Sequence, residues 1–270
     1  MRVLISADME GVTGATGWDD VDPAKPQFER FRRLLTGDVN AAIAGAFDGG
    51  ADEVLVNEAH DGMRNVLIED LDERVQLISG LHKPLVMMAG LDDCNLAFFV
   101  AYHARAGEPG VLAHTMTGEF MNVELNGEPA SEARLNAALA GQVNVPVGMV
   151  SGDDVICAEV EKLFPGVQTA VVKYAIDDFS ARCLPPAASG QRIRDAARLA
   201  TVERDSLAPY RLDPPYTVRV TLREAAQAGA ASAAPGISRE GSTSVSFTSN
   251  DYREVYGAIE AIGTIAGRVR

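Results

Sequence analysis

The sequence predicts an α/β fold in which a mostly parallel sheet is flanked by helices, with a smaller C-terminal α+β unit. The first observation is that short apolar runs alternate with longer stretches of helical period up to about residue 184. The second is that "TVRVTLRE" and "STSVSFTSND" alternate strictly between apolar and polar residues, as half-buried antiparallel strands do. We therefore predict an α/β domain over 1–184 and a smaller α+β unit over 185–270, with an approximate boundary.

Short apolar runs predict the strands of the first domain. They are Val3 to Ala7, Glu53 to Asn57, Val75 to Ser79, Leu96 to Tyr102, Val145 to Val150 and Thr169 to Tyr174. Between the first two, "QFERFRRLLTGDVNAAIAGAFDGG" has an apolar helical stripe and stops at Gly49 and Gly50. "SEARLNAALAGQ" and "DDVICAEVEKLF" predict two more helices, and Asn126-Gly127 predicts a tight hairpin turn before the first of them.

The segment past Tyr174 has a different texture. It contains a turn-rich break, "CLPPAASGQ", a predicted helix, "RIRDAARLATVERDSL", and a proline-rich connector, "APYRLDPPY". The two alternating strands follow, and a helix is predicted from about Tyr252 to the end.

Composition and charge restrict the possible functions. The chain has 270 residues, of which 47% are hydrophobic and 23% charged, as in ordinary globular proteins. A net charge of −14 argues against nucleic-acid or anionic-membrane surfaces, which need clustered Lys and Arg. The start "MRVLISAD" has no signal segment, and the three cysteines are an odd number without metal-type spacing. We therefore expect a cytoplasmic protein with buried thiols.

Acidic and histidine side chains follow three of the predicted strands. Asp8 ends the first strand and Glu10 comes two residues later, while His60 follows the second strand and His103 ends the fourth. Ligands of open parallel sheets bind at the carboxyl ends of the strands, so these side chains are expected at one crevice. Glu132 opens the helix after the hairpin and is within reach of the same crevice.

Two histidines and three carboxylates form a mixed nitrogen and oxygen donor set. Such a set suits Zn²⁺, Mn²⁺, Co²⁺ or Fe²⁺ and is poor for Ca²⁺. With Asp8 able to bridge, two metals about 3.5 to 4 Å apart are plausible. Read singly, the residues leave other interpretations open: a solvated loop or cap for Asp8 and Glu10, a loop histidine for His60, and a first-turn helix carboxylate for Glu132.

The glycines after the first strand raise a nucleotide-binding alternative. Gly11, Gly14 and Gly17 give GxxGxxG rather than GxGxxG, and "WDDVDPAKP" follows where a phosphate-binding helix should begin. Nearby carboxylates would also repel a pyrophosphate. The sequence therefore favours a metal site over a dinucleotide site.

Several blocks occur in order between Ser6 and Asp154. They are "SADMEGVTG", "VLVNEAHDGMRN", "LISGLHKPLVMMAGLDD", "AYHARAGEPGVLAHTM", "NGEPASEARLNA" and "VPVGMVSGDD", and "TSVSFTSND" follows further on. Together they resemble the DppA-type D-aminopeptidases, the M55 family of metallopeptidases, over nearly the whole chain. The ordered set is far more specific than any single block.

This resemblance implies the site residues, the substrate and the assembly. It implies a dinuclear zinc site with ligands at Asp8, Glu10, His60, His103 and Glu132, and a catalytic histidine at His114 in "GVLAHTM". It further implies hydrolysis of short peptides with an N-terminal D-amino acid, and a homodecamer with active sites facing an inner channel. Because none of these ligands lies beyond Glu132, the C-terminal unit is expected to complete the core or to build subunit contacts.

The residue types then suggest a mechanism. Two metals would acidify a shared water and polarise the scissile carbonyl. His114 would assist by proton transfer or charge stabilisation, an effect worth roughly 10² to 10⁴ in rate. Another metal-dependent amide or phosphoester hydrolase is the nearest alternative, and a non-catalytic metal- or nucleotide-binding protein, which would not need His114, is the alternative of a different class.

Overall fold

The computed structural model describes residues 1–269. Its strands are Arg2–Ala7 (β1), Glu53–Glu58 (β2), Gln76–Ile78 (β3), Leu96–Tyr102 (β4), Phe120–Leu125 (β5), Glu128–Pro129 (β6), Val147–Asp153 (β7), Gln168–Asp177 (β8), Ser180–Cys183 (β9), Tyr216–Leu222 (β10), Ser238–Arg239 (β11) and Ser244–Ser249 (β12). Its α-helices are Trp18–Val21 (α1), Phe28–Asp48 (α2), Glu132–Gln142 (α3), Asp154–Leu163 (α4), Pro186–Val202 (α5), Ala225–Ala231 (α6) and Tyr252–Ala266 (α7). Short 3₁₀ turns cover Ile68–Asp70, Val86–Met88, Leu91–Asp93 and Arg204–Ser206.

The larger sheet has the strand order β3-β2-β1-β4-β7-β8-β9. Its neighbouring strands run parallel, except for β8 and β9, which are antiparallel. Strand β4 lies at the centre and every one of its residues is buried, because "LAFFVAY" has an apolar side chain for both faces. The predicted fold class, a mostly parallel sheet flanked by helices, is confirmed.

Helices α2 and α5 cover one face of this sheet, where Ile43 and Ile193 join the same core as Ile5. Helix α5 corrects a prediction, since it begins at Pro186 inside the segment expected to be a turn-rich break. Proline fits the first turn of a helix because its missing N–H would have no partner there. The proline therefore marks the start of this helix and not an interruption before it.

The smaller sheet is antiparallel, with the order β11-β12-β10-β5-β6. The predicted hairpin turn joins β5 to β6, with φ of 53° at Asn126 and 83° at Gly127, as a tight turn of this kind requires. The sheet therefore draws its strands from both sides of residue 184, and the domain division there stays a prediction. Its inner face shares a core with α3, α7 and the other face of the larger sheet.

Two smaller observations complete the fold. The thiols of Cys94 and Cys157 are buried as expected, but Cys183 is exposed because it lies on the edge strand β9. Within residues 1–269, none of the helices combines the length and the hydropathy that crossing a bilayer requires.

Candidate metal centre

The strand order brings the predicted site residues to one edge of the larger sheet. Asp8 follows β1, His60 follows β2 and His103 follows β4, and these three strands are neighbours in the sheet. The loop after β1 crosses the end of β4 at Gly11, where a Cβ atom would lie only 1.9 Å from the carbonyl oxygen of Tyr102. A glycine is thus required beside Glu10, because the two backbone segments approach each other closely there. This requirement accounts for Gly11 without invoking a nucleotide-binding site.

Glu132 reaches the same edge from the first turn of α3. Ser131 caps this helix, because its hydroxyl accepts a hydrogen bond from the backbone N–H of Arg134 at 3.2 Å. The side chain of Glu132 is only 5% exposed, and its Oε1 accepts a bond from the N–H of Met116 at 2.6 Å. Ser131 therefore caps α3, and the carboxylate of Glu132 lies at the sheet edge with Asp8, His60 and His103.

The carboxylates and imidazoles of the cluster are within a few ångströms of one another. His60 Nδ1 lies 3.0 Å from Glu10 Oε2 and 3.6 Å from Asp8 Oδ1. His103 Nε2 lies 3.4 Å from Asp8 Oδ2 and 3.3 Å from Glu132 Oε1. All five side chains are nearly buried, so bulk water does not screen their charges.

His114 joins the cluster from the loop between β4 and β5. Its ring stacks on that of His103, with centroids 4.1 Å apart and planes 6° apart, and Trp18 packs against it in a T-shaped arrangement. Its Nε2 lies 3.7 Å from Glu10 Oε1 and 4.0 Å from Glu132 Oε1. The structure therefore brings all six predicted residues together.

Each imidazole makes one hydrogen bond away from the cluster. His60 Nε2 faces the carbonyl of Val21, His103 Nδ1 that of Ala104 and His114 Nδ1 that of Leu112, each at 2.9 Å. A carbonyl oxygen only accepts, so the ring nitrogen facing it carries the proton. The other nitrogen of each ring faces carboxylate oxygens, an arrangement that needs either a second proton or a cation between them.

Two buried atoms point to the cation. In the described part of the chain, Asp8 Oδ2 and His103 Nε2 have no hydrogen-bond partner. Orphaned buried polar atoms are rare in folded proteins and costly. A divalent transition metal would satisfy both, and imidazoles oriented by backbone carbonyls are typical of metal ligands. The residues present thus fit zinc.

The pKa values show the same excess of negative charge. Burial and the neighbouring charge of Glu10 raise the pKa of Asp8 to about 7. Burial lowers the pKa of His103, but the charges of Glu132 and Asp8 outweigh it and raise the value to about 10. Burial and the nearby imidazole of His103 lower the pKa of His114. A bound divalent cation would favour ionised carboxylates and a neutral His103 instead.

Two supporting residues were missed by sequence reasoning. The ammonium group of Lys173 is buried and donates to the backbone carbonyls of Glu10, Val12 and Ala15, at 2.5, 3.2 and 2.7 Å. It therefore holds the loop that carries Glu10. Glu58 accepts from the N–H groups of the 65–66 turn and so fixes the loop after His60. The position of Lys173 inside the apolar strand "QTAVVKYAID" is the one sequence signal that could have revealed its role.

The cluster forms one wall of a cavity of about 900 Å³. Apolar side chains including Trp18, Met63 and Met87 line part of it. Glu260 of α7 also lines it, so the C-terminal part of the chain contributes to the site as well as to the core. The sequence analysis did not anticipate this contribution.

A buried cluster of histidines and carboxylates, open to a cavity at a sheet edge, is typical of metal-dependent hydrolases. The pattern of peptidase family M55, described as D-aminopeptidase, matches residues 1–261. The chain is 39% identical over 272 residues to a D-aminopeptidase of Bacillus subtilis (strain 168), covering 99% of this chain and 98% of that protein. The chain belongs to this family, and the resemblance found in the sequence is confirmed.

A solved structure gives the same result for the fold. It is described as the Zn-dependent D-aminopeptidase DppA from Bacillus subtilis, a self-compartmentalizing protease. The TM-score is 0.97 at 37% sequence identity, with 100% of this chain and 99% of that chain covered. The likeness in fold therefore extends over both sheets.

Proposed function

We propose that this protein is a dinuclear zinc aminopeptidase that hydrolyses short peptides with an N-terminal D-amino acid. The observation that carries the proposal is the buried cluster, in which three imidazoles turn a nitrogen towards carboxylates and two buried atoms lack a partner. Membership of a D-aminopeptidase family and the likeness to a Zn-dependent D-aminopeptidase support the metal and the substrate class.

The residues that would hold the metals form overlapping groups. Ligand atoms of Asp8, Glu10 and His103 lie within 4.8 Å of one another, and so do those of His103, His114 and Glu132. His60 adds a further nitrogen beside Asp8 and Glu10. We assign the metals to Asp8, Glu10, His60, His103 and Glu132, and a catalytic role to His114.

When bound, zinc would supply Lewis acidity towards a water molecule and the scissile carbonyl. The chain supplies proton transfer and holds the ring that performs it. His114 keeps its Nδ1 proton on the carbonyl of Leu112, so its Nε2 is free to accept and return a proton beside Glu10 and Glu132. Stacking on His103 and the T-shaped contact with Trp18 fix the position of this ring.

One set of measurements tests the proposal. We expect about two zinc ions per chain by mass spectrometry of the purified, zinc-loaded protein. We expect hydrolysis of D-alanyl-D-alanine with a kcat/KM at least about tenfold above that of L-alanyl-L-alanine, lost on chelation and restored by zinc. Hydrolysis of p-nitrophenyl phosphate without peptide hydrolysis would instead favour a phosphoesterase, and zinc binding without any hydrolysis would indicate a non-catalytic protein.

A further inference from the structure

Glu260 is the acidic residue that α7 contributes to the cavity of the metal centre. The residue is half-buried, and its Oε1 is fully buried without a hydrogen-bond partner in the described part of the chain. Tyr256, one helical turn earlier, does not serve it, because that hydroxyl donates to Asn136 Oδ1 at 2.7 Å. Of the residues described, no Lys, Arg or His forms an ion pair with Glu260.

Glu260 stands apart from the metal-binding cluster. It belongs to neither group of ligand atoms that lie close enough to share an ion, whereas the carboxylates of Glu10 and Glu132 lie beside histidines. It is nevertheless near, since Glu132 and Glu260 line the same cavity; burial first and then the charge of Glu132 raise the pKa of Glu260 to about 7. A carboxylate in this place needs a cationic hydrogen-bond donor, and the described residues do not supply one.

A peptide with a free N-terminus brings such a donor. Its α-ammonium group carries three N–H bonds and lies next to the scissile carbonyl of the first residue, so it must enter the cavity close to the metal centre. The other carboxylates of the cavity outside the cluster differ from Glu260: Asp61 is exposed, and Asp22, which is half-buried, already accepts a bond from the N–H of Ala24. Glu260 is the cavity carboxylate with a buried, unused acceptor.

We propose that Glu260 binds the α-ammonium group of the peptide substrate and so selects peptides with a free N-terminus. This inference rests on the proposed aminopeptidase function, which it deepens by naming the group that recognises the amine. A charge-assisted bond to the ammonium group is made alike in the ground state and the transition state, so its loss should raise KM more than it lowers kcat.

The test compares two probes that differ at the amine. D-alanyl-D-alanine carries the ammonium group, and N-propionyl-D-alanine has the same skeleton with hydrogen in its place. In Glu260→Gln, which is of equal size and uncharged, we expect KM for the dipeptide to rise at least about tenfold and the inhibition constant of N-propionyl-D-alanine to stay within about twofold. Glu260→Asp, which keeps the charge, should fall between wild type and Glu260→Gln.

Three controls separate recognition from structure. Zinc content of Glu260→Gln should equal that of wild type, and its Tm should not fall, because the change removes a buried carboxylate without a partner. Glu254→Gln is the matched variant, since Glu254 lies on the exposed side of the same helix and accepts from Ser249 Oγ at 2.6 Å. Its KM should equal that of wild type.

The possible outcomes give distinct conclusions. An unchanged KM for the dipeptide in Glu260→Gln, an equal loss on both probes, or a loss of zinc would each overturn the role of Glu260 while leaving an active wild type as an aminopeptidase. A zinc-loaded wild type that hydrolyses neither D- nor L-dipeptides would reject the proposed function, and the recognition role with it.

Discussion

At the scale of single residues, the orientation of the three imidazoles is the most informative feature of the site. Each ring is fixed by a backbone carbonyl, so His60 presents Nδ1 to the cluster whereas His103 and His114 present Nε2. This pattern could not be read from the sequence, because the acceptors are carbonyls that any residue could supply. The convergence of Asp8, Glu10, His60 and His103, by contrast, could be predicted, since these residues stand where neighbouring strands end.

Replacing His114 tests its proposed role in proton transfer. We expect His114→Ala to lower kcat for D-alanyl-D-alanine at least about tenfold while zinc content stays that of wild type. His82→Asn is the control, because His82 is exposed and has a φ of 64°, which asparagine tolerates. Loss of zinc in His114→Ala would make His114 a ligand, and an unchanged kcat would remove it from the mechanism.

Asp38 provides a pH-dependent contribution to stability away from the metals. This buried side chain of α2 accepts from the N–H and hydroxyl of Thr13, at 3.0 and 2.9 Å. Burial nevertheless raises its pKa from an ordinary 3.8 to about 6. Between these values the folded chain holds the proton and the unfolded chain loses it, so stability from this group falls as the pH rises towards 6.

We therefore expect the stability of Asp38→Asn relative to wild type to increase as the pH rises from 4 to 7. The gain should be about 3 kcal/mol, measured as the difference in free energy of unfolding by urea with zinc chelated. Asp48→Asn on the same helix should show no such pH dependence in this range, because Arg194 lowers the pKa of Asp48 and the carboxylate is ionised in both the folded and the unfolded chain above pH 4. A pH-independent difference for Asp38→Asn would refute the assignment.

At the scale of elements, the crossing of the loop after β1 over the end of β4 determines where Glu10 lies. Strand positions followed from apolar runs because strands buried on both faces leave an unambiguous pattern, and β4 was predicted at its exact bounds. The pairing of β5 with β10 could not be predicted, because it joins residues far apart in the chain. Glu260 and Lys173 were missed for the same reason, since their roles come from contacts with distant loops.

Glycine substitutions test the importance of this crossing. We expect Gly11→Ala to lose zinc and to be destabilised by several kcal/mol, because the new methyl group would occupy the position of the Tyr102 carbonyl. Gly37→Ala is the matched control: it lies in α2 with nothing within 4 Å of the added carbon, and should stabilise the protein by about 0.5 to 1 kcal/mol. Zinc content and urea unfolding of both variants measure the difference. A Gly11→Ala protein with wild-type zinc would show that the loop has another stable path.

At the scale of the whole molecule, one buried hydrogen-bond network ties the larger sheet to helices α3 and α7. Ser6 of β1 bonds the hydroxyl of Tyr102 at 2.8 Å, and Asn136 of α3 donates to the same hydroxyl at 2.8 Å. Asn136 in turn accepts from Tyr256 of α7. The helix that carries Glu260 is thereby fixed relative to the strands that carry Asp8 and His103, so the cavity depends on both parts of the chain.

The last prediction concerns assembly and the size of the substrate. The related solved structure is described as a self-compartmentalizing protease, and closed symmetry is the usual state of soluble homo-oligomers. We propose a homo-oligomer, a decamer by family resemblance, whose metal centres face an inner chamber. Such a chamber would admit short flexible peptides and exclude folded proteins.

We expect light scattering to give a mass close to ten chains, and the zinc-loaded protein to hydrolyse D-alanyl-D-alanine while leaving folded ribonuclease intact. Folded ribonuclease also lacks an N-terminal D-residue, so its survival alone would not be decisive. The decisive substrate is ribonuclease with a D-alanine ligated to its N-terminus. It is tested in two forms, the folded protein and the short N-terminal peptide released from it. Cleavage of the peptide alone supports the chamber, whereas a stable monomer, or equal cleavage of both, would reject it without touching the metal chemistry.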